Sequence, residues 1–141
     1  MEYVLIQDVE KAVRSGDFAL AERITKARIA EHPTHPRLLA YAGFFHFRRG
    51  EYAPARDFFL KATMCDIRFL EAGIYLIRCL DYLGEYDEAL RAAEYWFTIE
   101  PANKEVIHLL KSLKRTVQKI DGQWEKSKDL KFVEVEMTGD E

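Results

Sequence analysis

With 141 residues, 48% of them hydrophobic and 32% charged, the chain has the makeup of one compact globular domain, neither a disordered segment nor a membrane protein. The net charge of −3 is unevenly held: residues 121–141 carry seven acids and three lysines, a balance of −4 that leaves +1 for residues 1–120. That distribution argues against a dedicated nucleic-acid binder, and the lack of a long apolar run or a basic, apolar start after Met1 predicts no membrane insertion and a cytoplasmic location.

In chain order, an apolar-periodic stretch from Tyr3 to Ser15 predicts a first helix, and Gly16-Asp17-Phe18 ends it. Ala19 to Glu31 predicts a second helix, followed by Pro33 and Pro36, which mark a break. The pattern then repeats: Pro36 to Arg49, the triplet Gly50-Glu51-Tyr52, and Ala53 to Cys65, with Pro54 in a first helical turn where its missing N–H costs little. It repeats again as Phe69 to Leu83, Gly84-Glu85-Tyr86, and Asp87 to Ile99, closed by Pro101. A last helix is predicted over Asn103 to Ile120, with Val106, Ile107, Leu110 and Leu113 as its inner stripe.

The three glycine–acid–aromatic triplets stand 34 residues apart, and Ala21, Ala55 and Ala89 follow each glycine at the same distance. Glycine supplies the left-handed turn that ends a helix, and the acid after it suits the positive end of the next helix. The alanine, one turn into the second helix, lets two helices approach closely. Larger side chains, among them Leu39, Phe45, Phe58, Phe59, Leu76, Leu80, Leu90 and Trp96, fill the wedge between them. Each pair buries one face only when its neighbours stack on it.

This pattern resembles the tetratricopeptide repeat family over about residues 1–120. The resemblance implies an all-α fold: a right-handed α-solenoid of three helix-turn-helix hairpins, repeats at about 2–35, 36–69 and 70–103, with a capping helix at 103–120. The middle unit carries the most matches: Leu39, Gly43, Gly50, Tyr52, Ala55, Phe59 and Ala62. The third departs at Ile77, where the family has a small residue, and at Trp96, where it has alanine; the first places Asp8 at a usual core position. Residues 121–141 form an acidic tail that reads either as a degenerate fourth hairpin around Gly122 and Ser127 or as a loosely held, extended segment, with Phe132 to Met137 alternating; the second is favoured.

First helices of such hairpins line a concave surface, so the resemblance implies a peptide-binding groove. It would include Ile6 and Glu10 from the first unit, Arg37, Tyr41, Phe44, Phe47 and Arg48 from the second, Glu71, Ile74, Tyr75, Arg78 and Tyr82 from the third, and His108 and Ser112 from the cap. Aromatic rings on that face suit an apolar peptide or helix, with Arg37, Arg48 and Arg78 fixing its polarity, unless the rings simply cover adjacent hairpins. Family members that grip acidic chaperone C-termini use a lysine–asparagine–arginine clamp, and here Ile6, Glu10, Tyr41, Glu71 and Tyr75 stand in those places, so no clamp is expected.

The expected function is therefore a non-enzymatic protein-interaction module whose partner is another protein or peptide. A chaperone for an exported protein, similar to type III secretion chaperones, and a structural subunit that self-associates through its C-terminal tail are the alternatives. RNA binding is disfavoured by Glu10, Glu71, Asp81 and the acidic tail. No phosphate loop, nucleophile elbow or zinc-ligand spacing appears, and no catalytic residue, metal or cofactor is expected. His32 and His35 read as solvated turn residues, His46 as a hydrogen-bonded inner residue, and Cys65 and Cys79 as buried, unpaired thiols.

Overall fold

A computed structural model of the chain describes the backbone of residues 2–139 and the side chains of residues 6–126. The described residues form seven helices: α1 Glu2–Arg14, α2 Phe18–Glu31, α3 Pro36–Arg48, α4 Tyr52–Cys65, α5 Leu70–Tyr82, α6 Tyr86–Ile99 and α7 Lys104–Gly139. Each packs on the one before it, so that α1/α2, α3/α4 and α5/α6 are hairpins stacked in chain order and α7 closes the stack against α6 and α5. Among the described residues no helix is long and apolar enough to cross a membrane.

The glycine of each triplet ends its helix in the way the spacing predicts. Gly16, Gly50 and Gly84 have φ of 82°, 75° and 77°. In the first turn the N–H of Asp17 donates to the Ala12 carbonyl at 2.9 Å and that of Gly16 to Val13 at 3.0 Å, and the other two turns repeat both bonds. These bonds satisfy carbonyls that the helix end would otherwise strand. The acids after the glycines do not share one role. Asp17 caps α2, its Oδ1 accepting from the Leu20 N–H at 3.1 Å, whereas Glu51 and Glu85 make no side-chain cap bond. They pair sideways instead, Glu51 with Arg49 at 2.6 Å and Glu85 with Arg56 at 2.8 Å.

Ion pairs also join neighbouring hairpins. Glu22 on α2 accepts from Arg49 at the turn of the second hairpin at 2.8 Å, and Arg56, one repeat later on α4, donates to Glu85 at the turn of the third. Glu22 and Arg56 occupy the same register with the charge reversed, while their partners Arg49 and Glu85 stand two positions out of register.

Bulk is exchanged in a similar way inside the core. Ala21, Ala55 and Ala89 are all fully buried, as close helix approach requires. In the second hairpin Leu39 and Gly43 of α3 accompany Phe59 and Ala62 of α4; one period on, these positions are Gly73, Ile77, Ala93 and Trp96. A Cβ on Gly43 would lie 3.0 Å from the Phe59 ring, and one on Gly73 would lie 2.1 Å from the Trp96 ring. The ring moves along the second helix, and the gap moves along the first to receive it. The departures at Ile77 and Trp96 are thus two halves of one packing solution.

Buried side chains fall into two clusters. A smaller one, with Ile6, Val9, Ala12, Ala21, Leu38 and Phe45, holds the first hairpin to α3. A larger one runs from Leu39 and Phe59 through Ile77, Cys79 and Trp96 to Val106, Leu110 and Leu113 of α7. Phe44 packs against both.

Several expectations are corrected. Asp8 is exposed and pairs with Arg28 at 2.8 Å, because Ile6, Val9 and Ala12 carry the inward face of α1. Cys65 is exposed at the last turn of α4; Cys79 is buried, and burial pushes its thiol up to about 12. Half-buried His35 is no loose turn residue: its Nδ1 caps α3 by accepting from the Leu38 N–H at 3.4 Å. The backbone beyond Ile120 continues as α7 rather than turning into an extended tail. The reason lies at the position one period after Gly84, which is Gln118, so no left-handed residue stops the helix, and Gly122 does not adopt a positive φ. A glycine inside a helix costs about 1 kcal/mol relative to alanine, too little to break it.

Candidate binding groove

Side chains three and four residues apart share a helix face, which sets Arg37, Tyr41, Phe44 and Arg48 along α3 and Glu71, Tyr75, Arg78 and Tyr82 along α5. Between these rows, with Val13 of α1 beside them, lies a cleft of about 220 Å³. Its walls are Tyr41, Phe44, Phe59, Phe69 and Tyr75, its small residues Ala40 and Ala72, and its charged residues Arg37 and Glu71.

The rings also hold hairpins together. Tyr75 stacks on Phe59 with centroids 5.1 Å apart and planes 10° from parallel, and meets Phe44 and Phe47 edge-on at 6.3 and 5.2 Å. Phe44 reaches Phe18 at 6.4 Å. Phe47 continues to Tyr52 and Tyr82, which stack on each other at 4.5 Å. A run of aromatic contacts therefore ties all three hairpins, and only its edges are open to a ligand. The rings cover adjacent hairpins, and some of them also wall the cleft.

Charges along the groove are largely committed within the chain. Arg37 donates to Glu10 at 3.3 Å, and Arg14 lies 3.9 Å from the same carboxylate. The Arg48 guanidinium sits 3.6 Å from the Phe18 ring centroid. Arg78 pairs with Glu105 of α7 and lies 5.5 Å from the Tyr75 centroid. Burial pushes the Tyr41 hydroxyl above its ordinary value, and Glu10 adds to the rise while Arg37 opposes it.

Of the residues assigned to the groove from sequence, Arg37, Tyr41, Phe44 and Tyr75 come together in the cleft with Glu71. Ile6 and Ile74 do not line it: at 7% and 8% exposure they belong to the two buried clusters. Their helical faces turn inward because α1 and α5 must each bury more than one row in a stack this thin. Tyr82, 64% exposed, stands at the end of the ring run, and His108 is exposed on α7 away from the cleft residues. Sequence reasoning missed Phe69, Ala40, Ala72 and Val13. Phe69 had a visible signal, an aromatic just ahead of α5 in a linker that is otherwise polar or exposed. The alanines carried none, since alanine is common throughout helices.

No family model matches this chain, and no curated protein sequence does. Solved structures do match. The first TPR of Spaghetti (RPAP3), bound to the HSP90 peptide SRMEEVD, is 20% identical with a TM-score of 0.73, covering 83% of this chain and 95% of that one. The second TPR domain of human RPAP3, in complex with the HSP70 peptide SGPTIEEVD, is 21% identical with a TM-score of 0.71, covering 81% and 96%. The Sgt2 TPR domain from Aspergillus fumigatus is 17% identical with a TM-score of 0.73, covering 85% and 81%. The molecule is an all-α solenoid of stacked helical hairpins. Its particular fold is that of the tetratricopeptide repeat domains.

Proposed function

We propose that the chain is a protein-interaction module that binds an apolar segment of another polypeptide in the groove formed by α3 and α5 beside α1. The observation that carries this is the aromatic-walled cleft on the face made by the first helices of the hairpins. Rings offer large contact area with few rotatable bonds, so they bind at low entropic cost. The similar RPAP3 domains are named with bound peptides, which supports a peptide as the ligand class. A chaperone for an exported protein would use the same cleft. Tyr41 is the wall residue to change, because its stacking on Phe45 at 6.4 Å is looser than that of Tyr75 on Phe59 at 5.1 Å. Tyr41→Ala is expected to weaken a captured partner at least fivefold in a binding titration while helicity by circular dichroism stays unchanged; undiminished binding refutes the groove.

A second reading has its own observation. The stripe that seats α7, Val106, Leu110 and Leu113, continues at the same spacing as Val117, Ile120 and Trp124, the last two 42% and 56% exposed. That continuation supports self-association through α7. Light scattering on the full chain and on a chain cut after Lys119 is the test: equal mass for both ends this reading.

A further inference from the structure

We propose that the cleft selects a peptide in which a bulky apolar side chain is neighboured by lysine or arginine, and that it disfavours acidic peptides. This rests on the groove being the binding site and adds the chemistry of what enters it. A volume of about 220 Å³ falls below the roughly 300–1,000 Å³ typical of pockets that enclose whole small molecules. It has room for one large side chain, with the rest of the ligand lying along the rim.

The rim charges decide what lies there. An arginine already paired offers an incoming carboxylate little, because the existing partner must be displaced. Arg37 is held by Glu10, Arg78 by Glu105, and Arg48 lies on the Phe18 ring. Arg68, on the same rim, is bonded to the Asp66 carboxylate through its backbone N–H at 3.1 Å, and its guanidinium makes no ion pair among the described residues. Glu71 lines the cleft and makes no ion pair or hydrogen bond among the described residues.

Charge at one point of the cleft wall, the Tyr41 hydroxyl, leans the same way. At the Tyr41 hydroxyl the effect of Glu10 exceeds that of Arg37, and the effect of Glu71 exceeds that of Arg14. Carboxylates therefore outweigh guanidiniums at a point on the cleft wall. A cation beside the buried side chain meets the unpaired carboxylate of Glu71, and an anion meets that same charge.

The test is a calorimetric titration of the full chain with three capped hexapeptides that share a central leucine–phenylalanine pair and are flanked by lysine, glutamine or glutamate. The peptide SRMEEVD, bound by one structural neighbour, is the fourth ligand. The lysine peptide is expected to bind at least tenfold more tightly than the glutamate peptide and SRMEEVD, with the glutamine peptide between. Glu71 is exposed, so Glu71→Gln keeps the fold, which a thermal melt checks. That variant is expected to shrink the lysine-over-glutamate preference at least threefold, and Glu71→Lys to reverse it. If the glutamine peptide binds but the glutamate peptide binds as well as the lysine peptide, or if the preference survives Glu71→Gln, the selectivity is overturned and the groove stands. If no peptide binds, the groove reading falls, and this one with it.

Discussion

At Gly73 the chain has no room for one carbon. A methyl there would sit 2.1 Å from the Trp96 ring, and a fully buried ring has no easy escape. Gly73→Ala is therefore expected to cost about 1–3 kcal/mol or more in a urea titration, the range for overpacking. Gly43→Ala, whose methyl would stand 3.0 Å from Phe59, should cost less. Equal losses at the two sites would refute the exchange of bulk between the second and third hairpins. The cysteines give a second test at this scale. Burial pushes the Cys79 thiol up to about 12, and Cys65 is exposed; since the thiolate is the reactive form, native protein should react with a thiol reagent at one cysteine and unfolded protein at two.

Among elements, the inter-hairpin ion pairs make stability depend on acid in a specific direction. The Glu22 carboxyl is held below its ordinary value of 4.5, first by the hydrogen bond from Arg49, against the opposing effect of burial. A carboxylate depressed in the folded state contributes stability that is present above 4.5 and is lost as pH falls through its lower folded value. Melting temperature should thus hold from neutral pH down to about 5 and fall below that, and Arg49→Met should flatten part of the fall. An unchanged acid profile in that variant sinks the link. The capping helix gives another test. Its inner residues Leu110 and Leu113 are buried at 7% and 2% exposure, so Leu113→Ala is expected to cost about 2–5 kcal/mol in denaturant unfolding.

These elements also show what a sequence displays and what it hides. Gly16, Gly50 and Gly84 were legible because a left-handed turn admits few residues, and their spacing repeats. Asp8 misled, since a family register was applied to a helix whose own apolar residues sit one position away. The partnership of Gly73 with Trp96 was hidden because each departs from the repeat singly, and only packing shows that they compensate. In the groove, Tyr41 and Tyr75 were placed by the family resemblance and line the cleft, while Ile6 and Ile74, placed in the same way, lie in the core, whose depth in a stack of paired helices no repeat pattern reveals.

For the whole molecule, the division of the core matters most. A stack whose units touch only their neighbours has stability that is close to a sum of unit and interface contributions. The first hairpin depends on the smaller cluster, and the third lies in the larger one between two neighbours. Amide hydrogen exchange should accordingly be faster in α1 and α2 than in α5 and α6; uniform protection along the chain would contradict the two-cluster core.

Phe44 belongs to both clusters and also walls the cleft, where Val13 of the first hairpin joins it. A ligand seated in the cleft as proposed would therefore brace the first hairpin, and part of its intrinsic affinity would go into keeping α1 and α2 docked. If the cleft binds a peptide as proposed, a saturating ligand is expected to slow exchange at the amino-terminal end, and a substitution that loosens that end, such as Val9→Ala, is expected to weaken capture without touching the ligand.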